Sequence, residues 1–217
     1  MKKFLLTALA IIMSLSMFAC NNSGNNGENN GENNVENNGG SEVNKAELAA
    51  NASVEKIANA LMATYADYTG MRENYDQYMA DVSEEEQISY EEFMSYQLSV
   101  MPVEDGAEWL MGFTEVPTGY AEAYCYQPMM MGQAFIGYVF RVAEGTDVEA
   151  FKATLTSTCD SRWNICTMAN TTVCENYEDL VYFSMMVVID EEHPDGFTAE
   201  QKDGFYNTFV SAIENNQ

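Results

Sequence analysis

The chain has 217 residues, 34 acidic and nine basic, for a formal charge of −25, and 47% of its residues are hydrophobic. So acidic a surface repels the phosphates of nucleic acid and of anionic lipid headgroups, which excludes both as partners; it attracts cations and basic peptides, and it equally serves solubility in an ion-rich exterior without being a recognition surface. Length and apolar content suit one main domain able to bury a core without help from metals or disulfides.

Lys2 and Lys3 give a charged start, and the apolar run from Phe4 to Phe18 is broken only by Thr7, Ser14 and Ser16 before Ala19-Cys20. This is the pattern of a signal peptide. The run is shorter than the roughly 20 apolar residues of a permanent membrane span. The residues Met17-Phe18-Ala19-Cys20 resemble the lipobox of bacterial lipoproteins, with Met17 and Phe18 standing where leucine and a small residue are usual. The resemblance implies cleavage before Cys20, a diacylglyceryl thioether on its sulfur, and a protein held on the cell membrane facing outside the cytoplasm. Removing the two lysines of residues 1–19 leaves seven basic and 34 acidic residues, a formal charge of −27. Residues 20–44 then form a tether. From Asn21 the chain repeats Asn-Asn-Gly-Glu with little variation, offers almost nothing to bury, and spans roughly 25–30 Å as a flexible coil.

Residues 45–217 carry the expected single domain, helical over 45–112 and sheet-forming over 113–217. Val54, Ile57, Leu61, Tyr65 and Tyr68 share one helix face, with Ser53 as cap, Gly70 as stop, and two further turns reaching back to Lys45. Ser83 with Glu86 and Ser89 with Glu92 fit capping boxes, the second opening a helix over 90–100 that Pro102 ends. Trp109 and Leu110 read as a short helical segment stopped at Gly112. Period-two alternation over 120–126 and 134–142 predicts two strands joined as a hairpin, with Arg141 on the face of Gly137 and Val139. Thr146 with Glu149 caps a helix bearing Val148, Phe151, Leu155 and Cys159. Two short strands, 163–167 and 172–176, follow around a tight turn at Ala169-Asn170. The run 180–189 is apolar on both faces, as in a covered central strand. Thr198 with Gln201 caps a last helix carrying Phe205, Phe209 and Ile213. Runs of adjacent strands with helices packed on them predict an α+β fold, a mainly antiparallel sheet of about five strands behind an N-terminal helical region.

From about Phe113 onward the chain resembles small lipoproteins of gut-dwelling Gram-positive bacteria that carry a domain of unknown function. Arg162-Trp163-Asn164-Ile165-Cys166 and Asp179-Leu180-Val181 carry this likeness, over about half the mature chain. It implies a lipidated α+β domain and assigns no activity.

Candidate sites are few. Asp190, Glu192 and Asp195 crowd a turn that can offer oxygens to a hard divalent cation, though the spacing is not that of an EF-hand. His193 is the single histidine, which excludes sites needing two. Met129, Met130 and Met131 match the soft ligands of Cu(I), and equally flexible core filler. Tyr120, Tyr124 and Tyr126 form an aromatic face suited to a sugar or peptide, unless a helix covers it. Cys125, Cys159, Cys166 and Cys174 contain no C-x-x-C. In the register set by the predicted turn, Cys166 and Cys174 oppose each other within disulfide range, and free thiols suit the same fold. These features predict a membrane-anchored, non-enzymatic binding or accessory protein with no cofactor. Its partner would be a basic peptide, a sugar or another envelope protein. The alternatives are an extracytoplasmic carboxylate-based hydrolase and a weak divalent-cation binder.

Overall fold

The computed structural model describes residues 44–129, 134–164 and 167–215, all within one compact unit, Glu42–Gln217. Cys20 and the tether, Met130, Met131 and Cys166 lie outside the described residues.

Six helices and five strands make an α+β fold among these residues. They run α1 (Lys45–Asn51), α2 (Val54–Tyr68), α3 (Met71–Asp81), α4 (Tyr90–Gln97), β1 (Leu98–Pro102), β2 (Tyr120–Pro128), β3 (Phe135–Val142), α5 (Val148–Thr158), β4 (Thr171–Tyr177), β5 (Leu180–Met186) and α6 (Ala199–Glu214). The sheet has the order β1-β2-β3-β5-β4, and every neighbouring pair is antiparallel. Alternation along β3 and β5 sorts their side chains onto two cores. Phe135, Val139, Leu180, Tyr182 and Met186 meet α1, α2 and α6 on one face. Ile136, Tyr138, Phe140, Val181, Phe183 and Met185 meet α5 and the β1–β2 connection on the other. β5 is buried along its whole length, as its two-sided apolar sequence predicts.

The helix ends follow local chemistry. Ser53 accepts a hydrogen bond from Lys56 N–H, and Gly70 takes the left-handed conformation (φ +66°) that separates α2 from α3. Thr198 and Gln201 form the full reciprocal capping box on α6. On α6, Gly204 lies directly against the Tyr68 hydroxyl, and Thr208 Oγ1 is 3.0 Å from Thr64 Oγ1, so small residues let α6 approach α2 closely.

Several expectations are corrected. The helix over 90–100 ends at Gln97, because Leu98 to Pro102 pair with Pro128 to Tyr124 and become an edge strand. Pro102 is tolerated there because it closes a strand on the sheet edge. α3 has no buried residue and so no apolar stripe to announce it. The Ser83–Glu86 box caps only a 3₁₀ turn, Glu84–Glu86. Asp147, not Thr146, caps α5 by accepting from Ala150 N–H. Trp109 and Leu110 lie in a non-helical connection. Trp163, Asn164 and Thr167 are in no strand, and β4 pairs with β5 instead of with them. The hairpin that put Cys166 opposite Cys174 therefore does not form among the described residues.

Candidate functional site

The longest connection between elements among the described residues runs from Val103 to Gly119 and arches over β1, β2 and β3. Val103 N–H donates to Ala123 O at 2.8 Å, continuing the β1–β2 ladder before the chain leaves it. Leu110 and Phe113 are buried in the second core, Phe113 against the rings of Tyr138 and Phe183. The Tyr138 hydroxyl donates to Met111 O at 2.7 Å. Gly112 sits at φ +85°, and a Cβ there would come 2.8 Å from Met185 Cε, so glycine permits both the turn and its seating. Bonds from Thr114 N–H to Thr158 O and from Asp160 N–H to Gly112 O, both 2.8 Å, tie the far end to the end of α5.

The arch leaves two depressions beside the turn at residues 103–107. The first, about 240 Å³, has Cys125, Tyr138 and Leu110 in its wall and Met101 and Trp109 at its lip. Trp109 is 66% exposed and Met101 47%. The second, about 370 Å³, runs along Val116, Pro117 and Tyr120. Burial pushes the Cys125 thiol up to about 12 and raises Tyr138 as well, so the floor is neutral and the thiol is not a nucleophile at ordinary pH.

The three tyrosines expected to share a binding face are separated. A bulge between Tyr120 and Glu122 shifts the register of β2 by one residue. Tyr120 therefore joins the second core, its ring 5.4 Å from Phe140, while Tyr124 and Tyr126 turn to the other face. Tyr126 is wholly buried under α2, and Tyr124 lies near Glu55 and Glu122. Tyr120 lines the second depression, and neither Tyr124 nor Tyr126 lines either of the two. Trp109 was legible as an aromatic in a short segment, and what the sequence did not reveal is that no helix covers it.

The turn at 190–196 is organised by hydrogen bonds among its own groups. Asp190 Oδ1 accepts from Glu192 N–H, from His193 N–H and from the His193 ring at 2.7 Å, and Oδ2 accepts from Asn170 Nδ2 at 2.8 Å. These bonds, that from His193 first, hold the Asp190 carboxyl down at about 2. Among the described residues no group of three or more His, Cys, Asp or Glu side chains gathers as a metal site, so Asp190, Glu192 and Asp195 are not brought together as ligands. A general acid needs a raised pKa, and the displaced carboxyls Asp190 and Glu86 are both lowered, Glu86 by its bonds to Ser83. Cys125, Cys159 and Cys174 are free thiols, and Cys174 lies over the Lys152 carbonyl of α5. Met129 is exposed, at the end of β2.

No helix among the described residues is long and apolar enough to cross a membrane. Comparison with family models, with characterised proteins and with solved structures finds no match to this chain.

Proposed function

We propose that this protein is a membrane-anchored extracytoplasmic lipoprotein that acts as a non-enzymatic binding or accessory protein. The observation that carries the reading is the sequence Met17-Phe18-Ala19-Cys20 at the end of a lysine-led apolar run, followed by the Asn/Gly/Glu segment up to residue 44. Such an arrangement places a lipid on one sulfur and keeps the folded part away from the bilayer. A formal charge of −25 favours standing off from anionic headgroups, so the lipid and not the surface would hold the protein to the membrane. The exposed Trp109 and Met101 beside an apolar depression support binding over catalysis.

The test is fractionation of a bacterial host expressing the full chain, with metabolic labelling by a fatty-acid analogue. The wild type is expected in the membrane fraction and labelled. Cys20→Ser is expected to lose the label and leave the membrane. Labelling that survives this substitution overturns the anchor, and with it the assigned location.

A further inference from the structure

The connection that frames the depressions is as one-sided in charge as it is in exposure. From Pro102 to Glu122 it carries Glu104, Asp105, Glu108, Glu115 and Glu122, and no lysine, arginine or histidine. Only Glu122 is within reach of a base, 3.9 Å from Arg141 Nε. The other four are exposed and enter no ion pair with the described residues. Between them stands Trp109, two-thirds exposed, above a floor of Leu110, Cys125 and Tyr138.

An open indole face beside carboxylates attracts a cation, both through the ring quadrupole and through the local field. The apolar floor accepts the aliphatic stem of a lysine or arginine, or an apolar neighbour in the same ligand. Phosphates and carboxylates are repelled. For a sugar the first depression offers Glu104, Gln127 and the Trp109 N–H as side-chain partners, since Tyr138 already donates to Met111 O, and none of these uses the local negative field as a cation does. The two depressions share Val103 and Ala107, so the surface is longer than a single side chain.

We propose that the groove at Trp109 binds a segment of a partner protein in which lysine or arginine alternates with apolar residues. A cation of that segment lies over the indole and an apolar side chain enters the depression behind Met101. The proposal deepens the reading of the protein as a binding protein and rests on it.

The test titrates the wild-type protein in a non-ionic detergent with the peptide Ac-Arg-Leu-Arg-Leu-Arg-amide. Binding is read by calorimetry, with far-UV circular dichroism confirming that each variant is folded. Saturable binding is expected, weakened about ten-fold or more by Trp109→Ala and by Glu104→Gln with Glu108→Gln. Glu84→Gln with Glu85→Gln removes the same charge from the 3₁₀ turn, which lines neither depression, and is expected to leave affinity within about two-fold, since exposed charges away from the contact are screened by salt. Ac-Arg-Ser-Arg-Ser-Arg-amide is expected to bind about ten-fold more weakly, because it has nothing to bury. No saturation below millimolar peptide overturns the proposal. So does equal weakening by the two glutamate pairs, which would mean attraction by bulk charge alone. Trp109-dependent binding of maltotetraose without binding of the peptide would reassign the groove to sugar. Fatty-acid labelling of Cys20 is independent of every one of these outcomes, so failure of the groove and failure of the anchor are told apart.

Discussion

Tyr126 and Gly137 face each other across β2 and β3, and the tyrosine ring fills the space a side chain at Gly137 would need. A Cβ built there would sit 2.6 Å from Tyr126 Cε1 and would overlap Cζ and the hydroxyl. The ring is locked between sheet and α2, so it cannot swing away. Its hydroxyl lies beside Tyr182, which bonds Ser184 at 2.8 Å, yet meets no partner of its own with hydrogen-bond geometry. Gly137→Ala is therefore expected to destabilise the fold by about 2–3 kcal/mol through overpacking. Tyr126→Phe removes a buried hydroxyl that lies beside Tyr182 outside good hydrogen-bond geometry, while Tyr182 keeps its bond to Ser184, so its change should stay under about 1 kcal/mol. Urea denaturation of both variants checks the pair, and a strongly destabilised Tyr126→Phe would mean the hydroxyl has a partner.

Arg141 fastens α1 to the sheet. Its guanidinium donates to Ala52 O at 2.7 Å and Ala49 O at 3.1 Å, and pairs with Asp179 at 3.1 Å. The two carbonyls close the C-terminal end of α1, where a cation also complements the helix dipole. Arg141→Leu is expected to cost about 2–4 kcal/mol, since charge-assisted bonds are lost and carbonyls are left in a half-buried place. Arg141→Lys keeps the charge without the fork and should recover only part of that. Hydrogen exchange should show α1 opening before α2 in both. Uniform loss of protection across the sheet would contradict a local clamp.

What was legible followed from periodicity. α2, α6, β3 and β5 have strong apolar patterns and formed on them, except that the strand expected over 180–189 ends at Met186, and the turns reaching back to Lys45 form a separate α1 because Ala52 and Ser53 are extended. What was not legible depended on neighbours distant in sequence. Leu98, Val100 and Pro102 fit the end of a helix as well as a strand until β2 is placed beside them. One extra residue at the bulge reversed the face of Tyr120, and alternation cannot announce a bulge. The exposure of Trp109 rests on the connection being pinned by Leu110, Phe113 and the Tyr138 hydroxyl, a three-dimensional fact with no local signal.

The buried hydroxyls and thiols predict a sharp alkaline limit. Burial pushes Tyr65, Cys125 and Cys174 up to about 12, and raises Tyr126, Tyr138 and Tyr182 as well. In the unfolded chain a tyrosine ionises near pH 10, so above that pH the unfolded state binds fewer protons than the folded one, and stability falls. Their contribution is complete below about pH 9–10 and is lost as pH rises towards the folded values. Four buried tyrosines remove roughly 5 kcal/mol by pH 11, at about 1.4 kcal/mol per group per pH unit, enough to unfold a domain of ordinary stability. Tyrosinate absorbance should rise in two steps, exposed rings first, the second step coinciding with loss of circular dichroism. A single smooth titration near pH 10 with the fold intact would refute it.

One carboxylate organises the acidic turn at residues 190–196. Asp190 holds the turn through Glu192 N–H, His193 N–H, the His193 ring and Asn170, and its carboxyl is lowered to about 2. A carboxyl lowered on folding stabilises above its unfolded value, near 4, and that contribution is lost as pH falls through the folded value. The turn should therefore persist from neutral pH down to about pH 4 and loosen between pH 4 and 2. Asp190→Asn removes the carboxylate that accepts these four bonds and should loosen the turn already at neutral pH, with faster exchange of the Glu192 and His193 amides. The same bonds predict weak cation binding, because a Ca²⁺ ion needs six to eight oxygens and would compete with four donors for this carboxylate. Calorimetry is expected to show millimolar affinity for Ca²⁺ or none. Micromolar affinity abolished by Asp190→Asn with Asp195→Asn would restore this turn as a metal site and displace the account of it as a hydrogen-bonded clasp.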